Sequence, residues 1–232
     1  MFKVGTTNEI TRVKWIEETL KAIPEGLTIL DAGAGESQFK KFCSHLQYIA
    51  QDFGQYEGSG DIGLHTGSWD NSSLDIISDI INIPLPDQSV DAIMCTEVLE
   101  HIPNPVAALK EFTRLLKPNG YLLITAPFAS LTHFAPYHFT SGLSRYFYEH
   151  HLKEFGFAIN DLQLNGNYFE DISQENRSIK NMALKYADTK LSILDKIITH
   201  LNLLILQRLS KKDKGSSEIL CYGIHVFARK KD

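Results

Sequence analysis

The residues with the clearest chemistry are Asp31, Gly33 and Gly35, set in the run Thr28-Ile29-Leu30-Asp31-Ala32-Gly33-Ala34-Gly35. An aliphatic strand ending in an acid and two glycines turns where open α/β sheets bind ligands, because glycines let a ligand approach the backbone closely. A dinucleotide fingerprint needs a third glycine, and Gln38 holds that place here. Asp31 also argues against phosphate: a carboxylate at the strand tip repels the pyrophosphate that a helix N-terminus attracts. A cationic cofactor without phosphate suits the turn better. S-adenosyl-L-methionine, with an ammonium and a sulfonium, has that chemistry; an NAD-linked oxidoreductase is the alternative that the missing glycine disfavours.

Other residues extend this reading along the chain. Asp52 closes the next aliphatic run, Leu46 to Gln51, one strand-helix-strand unit after Asp31. A carboxylate there can accept both hydroxyls of a ribose, or it is an ordinary strand-end acid. Asp79 can accept from an adenine amine while the Ile80 N–H donates to the neighbouring ring nitrogen. The segment Ala126 to Thr140 holds His133, His138, Phe128, Phe134, Tyr137 and Phe139. Either histidine can act as general base near neutral pH, with the aromatic rings excluding water and Phe128 and Tyr137 touching substrate; the other reading makes the rings core. Trp69 and His65, in the Gly- and Ser-rich loop from Phe53 to Leu74, either contact substrate or cofactor or pack the loop. Glu97, Glu100 and His101 offer too few converging ligands for an ion that wants three or four, so no metal is expected.

Such residues converge only if the chain forms a parallel sheet. Thr7 or Asn8 can cap a helix to about Ala22, with Pro24 and Gly26 stopping it. Strands are expected over Leu27–Asp31, Leu46–Gln51, Asp75–Asp79, Val90–Cys95 and Tyr121–Thr125. Helices are expected over Ser37–Ser44, Val106–Leu116 and Ser141–Phe155. The strands are continuous apolar runs of the kind buried on both faces of a parallel sheet. After a strand to about Leu164 come two helical stretches, Asp171–Asp188 and Lys190–Leu209, and a last strand over Ile219–Ala228.

Read together, Asp31-x-Gly33-x-Gly35, Asp52, Asp79-Ile80 before Leu85-Pro86-Asp87-Gln88-Ser89-Val90-Asp91, Glu97-Val98-Leu99-Glu100-His101-Ile102 and Leu116-Lys117-Pro118-Asn119-Gly120 resemble the class I S-adenosylmethionine-dependent methyltransferases. The likeness is to the branch holding the enzymes of ubiquinone-type pathways, and it covers roughly residues 27–157. It implies a doubly wound, seven-stranded, mostly parallel sheet with helices on both faces, and a last strand antiparallel at the sheet edge. It also implies that Gly33 and Gly35 flank the methionine part, Asp31 orients it, Asp52 holds the ribose, and Asp79 and Ile80 hold the adenine, with Phe53 a further cofactor-binding residue. Thr96 then sits beside the sulfonium, and Arg12 is a candidate clamp for the methionine carboxylate. Ser37 stands where members often have a third glycine, and Asn119 where they often have Gly.

Composition narrows the rest. The chain has 232 residues and a formal net charge of −5, with no broad basic face, so nucleic acid is not an expected partner. One methyltransferase domain over 1–232 is expected, with an N-terminal helix in 1–24 and a helical insertion over 170–215. Cys43, Cys95 and Cys221 lack metal spacing and read as buried free thiols of a reducing, cytoplasmic setting. Leu191, Leu194, Ile197, Ile198, Leu201, Leu204 and Ile205 make one broad apolar helix face, expected to pack over the acceptor pocket or on a second subunit, with a membrane surface the minority reading. The expected activity is methyl transfer to a hydroxyl or amine of a small molecule or glycan-type metabolite; a cofactor-binding scaffold subunit is the alternative.

Overall fold

The computed structural model describes residues 2–60, 63–65 and 67–232. Residues 61, 62 and 66 of the long loop lie outside that description. β1 (Thr28–Ala32) pairs in parallel with β2 (Gln47–Asp52) on one side and β4 (Val90–Thr96) on the other. β3 (Ile76–Ile77) extends the sheet beyond β2, and β5 (Leu116–Pro127) beyond β4. With β6 (Phe157–Asn165) and β7 (Gly223–Lys230) the order is β3-β2-β1-β4-β5-β7-β6. This is the expected seven-stranded, mostly parallel arrangement. The order reverses between β1 and β4, so a crevice opens beyond their carboxyl ends.

Two expectations need correction. The last strand is antiparallel to β5 as expected, but it does not form the sheet edge: β6 lies outside it, and Ile224, Val226 and Ala228 are wholly buried. No α-helix spans Ser37–Ser44, where only a short 3-10 turn forms at Lys40–Phe42. Gly33, Gly35 and Ser37 all have positive φ. A chain with that many left-handed residues cannot accumulate the consecutive right-handed turns that nucleate a helix.

The sheet is embedded in apolar side chains. α1 (Asn8–Lys21) contributes Trp15, Ile16 and Leu20 to a cluster with Ile29, Met94 and Leu123. α2 (Pro105–Leu115) starts at Asn104, whose side chain accepts from the Ala107 N–H at 3.1 Å, and Pro105 supplies a preset first turn. It buries Ala108, Leu109, Phe112 and Leu115, a helical repeat that fixes which face meets the sheet. Its last turn carries Arg114, which donates to Glu111, Asp87 and the carbonyls of Ile83 and Leu85. Glu111 is pushed up by burial but ends below its ordinary pKa, because Arg114 and the Ile83 N–H bond the ionised form. This clamp holds the proline-bearing connection between β3 and β4. α3 (Arg145–Glu154) follows β5 and buries Tyr148 and Leu152.

The chain divides into two compact units, one of residues 13–163 and 223–232, the other of residues 1–12 and 164–222. In the second, α4 (Tyr168–Tyr186) packs on α5 (Ile193–Ser210), which begins with a Ser192/Asp195 capping box. The N-terminal segment of this unit is tied down by bonds from its backbone N–H groups to side chains: Gly5 donates to Glu170 at 2.7 Å, and Lys3 and Val4 both donate to Gln207. Arg177 donates to the carbonyls of Phe2 and Val4. The apolar row of α5 is not covered by the described residues, since Leu194, Ile197, Ile198, Leu201, Leu204 and Ile205 are all exposed. Among the described residues, no helix is long and apolar enough to cross a membrane. The three cysteines are buried and free, as expected.

Candidate cofactor and acceptor site

The glycine turn is built from backbone bonds to β2. Gly33 and Ala34 both donate to the Gln51 carbonyl at 2.8 Å, which folds the turn back over the neighbouring strand. Asp52 completes it: Oδ2 accepts from Gly35 at 3.1 Å and Oδ1 from Gly54 at 2.9 Å. Each oxygen keeps a second lone pair for a ligand. A Cβ on Gly33 would collide with Val98, 2.5 Å away, and one on Gly35 with the indole of Trp69. Both glycines therefore serve close approach as well as positive φ.

Asp31 lies at the floor of this turn and is 2% exposed. Its Oδ2 accepts a short hydrogen bond from the Tyr48 hydroxyl, whereas Oδ1 is buried without a hydrogen-bond partner among the described residues. Burial pushes the Asp31 pKa up to about 7; the Tyr48 bond opposes this and the charge of Asp52 adds to it. A buried carboxylate oxygen without a partner is costly, and a cationic ligand group would satisfy it. The residues present thus fit a cofactor with positive charge and hydroxyls and lacking phosphate.

At the neighbouring strand ends, aromatic and imidazole rings crowd together. Thr96 ends β4, almost fully buried, and the chain then turns at Glu97 with φ 55°, its carboxylate accepting from Thr125 at 2.9 Å. A 3-10 turn at Leu99–His101 follows, and its Glu100 carbonyl accepts from Phe139 and Thr140. Those bonds, with Phe134 donating to the Leu64 carbonyl, lay residues 130–140 across the carboxyl edge. The Trp69 ring meets Tyr56 and Phe134, Phe134 meets His101, and His101 meets His133 and His138. Burial, together with His133 and His138, pulls the His101 pKa down to about 4, although its bond to the Tyr137 carbonyl resists. The His138 pKa is lowered by burial and by His133.

The fold brings together Asp31, Gly33, Gly35, Asp52 and Trp69, and beside them Tyr137, His133 and His138. Phe53 stands edge-on to Tyr137 at 4.8 Å. Asp79 is exposed and accepts from the Ile81 N–H at 3.1 Å, while Ile80 is buried. Phe128 is half-buried outside the ring cluster, and His65 pairs with the Tyr56 hydroxyl at 2.9 Å. Phe139 is 52% exposed. Arg12 is half-buried on α1 in the other unit. Sequence reasoning missed Tyr48 and Tyr56. Tyr48 was findable in principle, because its strand must lie beside the one that carries Asp31.

Residues 30–124 match the sequence profile of the methyltransferase domain family. By that match, this segment is a methyltransferase domain. The chain is 31% identical over 114 residues to a demethylmenaquinone methyltransferase of Clavibacter sepedonicus, covering 47% of this chain and 46% of that protein. It is 27% identical over 115 residues to a ubiquinone biosynthesis O-methyltransferase of Coxiella burnetii, covering 49% and 48%. The matched stretch thus spans about half the length of these relatives. The methyltransferase fold extends further: a SAM-dependent methyltransferase structure from Archaeoglobus fulgidus aligns with 98% of this chain and 96% of that one at a TM-score of 0.57 and 16% identity.

Proposed function

We propose that the protein is an S-adenosylmethionine-dependent methyltransferase acting on a hydroxyl or amine of a small molecule or glycan-type metabolite. The observation that carries the donor half is Asp31, whose buried Oδ1 lacks a hydrogen-bond partner among the described residues beside a glycine turn tied to Asp52. When bound, S-adenosylmethionine supplies a methyl group on a positively charged sulfur. Asp31 and the Gly33–Gly35 backbone hold the methionine part. Asp52 and Phe53 take the ribose, Asp79 and Ile80 the adenine, and Thr96 lies by the sulfur. The chain's remaining task is alignment and exclusion of water. Trp69, Phe128 and Tyr137 supply apolar wall on the acceptor side, and the imidazoles of His133 and His138 activate the acceptor. Quinone-pathway names among the relatives support a small-molecule acceptor.

Calorimetric titration of the protein with S-adenosylmethionine or S-adenosylhomocysteine tests the donor half. Binding is expected, with Asp52→Ala weakening it at least tenfold, since charge-assisted bonds are worth about 1.5–3 kcal/mol each. No binding by folded protein overturns the reading. A metabolite extract supplied with methyl-labelled cofactor then reads out which mass gains the label.

We further assign the α5 row to contact with a second copy of the chain, in a cytoplasmic protein. The row is contiguous, and its helix carries Asp195 near the start of a polar face that is not distinctly basic. That pattern suits protein better than an anionic membrane.

A further inference from the structure

We propose that His101, His133 and His138 form a binding site for one divalent transition-metal ion of the zinc class, with Glu100 as an adjoining oxygen donor. A ligand nitrogen from each histidine lies within 4.8 Å of the others. Three imidazoles leaving one or more positions open are a donor set that zinc accepts.

The ring orientations favour this over simple packing. His101 Nδ1 is hydrogen bonded to the Tyr137 carbonyl at 2.6 Å, and His133 Nδ1 to the Leu131 carbonyl at 2.9 Å. A carbonyl partner fixes the proton on Nδ1, so both Nε2 lone pairs are available as ligands, the outer-shell arrangement that metal-bound histidines share. Both Nε2 atoms face the same carboxylate oxygen, Glu100 Oε1, at 3.6 and 3.8 Å. Donors at about 2.0–2.1 Å from a tetrahedral ion stand about 3.3–3.4 Å apart, so small rotations of these side chains reach that spacing.

His138 is the second observation. Both of its ring nitrogens are buried without a hydrogen-bond partner among the described residues. A ring with two polar atoms in that state asks for an ion or water. Its ring centroid lies 5.0 Å from that of His133 and 6.0 Å from that of His101. The sequence hid the cluster because one ligand follows β4 and two follow β5, and only the parallel pairing of these strands unites them.

The inference deepens the methyltransferase reading in one respect: an ion here, on the acceptor side, can polarise an acceptor hydroxyl whose proton leaves to bulk water. Metal binding itself does not depend on that reading. The test uses untagged protein stripped with chelator, titrated with Zn²⁺ against a chromophoric competitor and separately with Co²⁺. One equivalent per chain is expected, with Co²⁺ visible bands and no thiolate charge-transfer band in the near ultraviolet. His133→Gln and His138→Gln should each lower affinity at least 30-fold with an unchanged circular dichroism spectrum. His150→Gln, in the exposed His150, His151 and Glu154 group of α3, should not. Absence of stoichiometric uptake, uptake that survives both variants, or a thiolate band assigning the ion to cysteine overturns the proposal. Should either variant unfold, the wild-type Co²⁺ spectrum decides by the same criteria. Binding of S-adenosylhomocysteine by the same stripped protein reports separately on the cofactor reading.

Discussion

Tyr48 of β2 donates its hydroxyl hydrogen to Asp31 of β1, beneath the glycine turn. The bond engages one carboxylate oxygen and leaves a pKa of about 7, against an ordinary 3.8, because burial dominates. A cationic cofactor favours the ionised carboxylate, so binding should release a proton wherever Asp31 starts protonated. Affinity for S-adenosylmethionine is therefore expected to rise with pH up to about 7 and then level off. Calorimetry in two buffers of different ionisation heat measures the released proton directly. Asp31→Asn should abolish the release and weaken binding. The linkage also acts on folding: a raised acid pKa lowers stability as pH climbs from the unfolded value to the folded one, so Asp31→Asn flattens that slope in the free protein. Equal heats in both buffers at pH 6.5 would contradict the assignment.

Gly35 lies against the indole of Trp69, where an added Cβ would collide, and has φ 49°. Gly35→Ala places a methyl against the indole and adds backbone strain of about 1–2 kcal/mol. The turn must shift to relieve either, and the Gly35 N–H bond to Asp52 shifts with it. A loss of cofactor affinity of at least tenfold is expected. The double variant Gly35→Ala with Trp69→Ala separates the causes. Recovery of part of the affinity points to the collision, while no recovery leaves strain alone responsible.

Local chemistry made part of this site legible. Asp31, Gly33, Gly35 and Asp52 lie on consecutive strands, and an acid at a strand tip announces itself in the residues around it. The continuous apolar runs likewise announced a parallel sheet, and β1, β2 and β4 fall within a residue of their expected bounds. What failed was governed by backbone state or distant pairing. Ser37 adopts φ 55°, a conformation glycine takes more readily, and that choice helps remove the helix expected over Ser37–Ser44. The place of β7 inside the sheet depends on β6 pairing beyond it, which residues 219–228 cannot encode. His101 read alone is a turn residue, and only the return of residues 130–140 along the carboxyl edge gives it histidine neighbours.

The α5 face yields a prediction about assembly. Ile197 is 50% exposed in the middle of the apolar row, between Leu194 and Leu201. If a second copy covers this row, Ile197→Glu buries an unpaired charge in the contact, which is strongly unfavourable. Light scattering coupled to gel filtration should show the dimer mass for the parent and the monomer mass for the variant. A monomeric parent at tens of micromolar would refute the assignment. Sedimentation with anionic vesicles addresses the membrane alternative, for which no co-sedimentation is expected.

α4 ends with a residue poorly suited to its conformation. The helix runs to Tyr186, Ala187 caps it, and Asp188 follows with φ 46°, while the N–H groups of Ala187 and Thr189 both turn back to the Ala183 carbonyl. This is a left-handed helix stop, the position where glycine is usual. Aspartate carries strain of about 1–2 kcal/mol there and sets a negative charge against the carbonyl end of the helix, a smaller effect of about 0.3–1 kcal/mol. Glycine is freer in the unfolded chain, which offsets about 0.5–1 kcal/mol. Asp188→Gly should thus stabilise the protein by about 1 kcal/mol, raising Tm by about 2–4 °C for a chain of this size. Asp188→Ala is the discriminating partner: it removes the charge but keeps the strain, so it should gain little. Equal gains from the two variants in thermal denaturation would assign the effect to charge and refute the backbone argument.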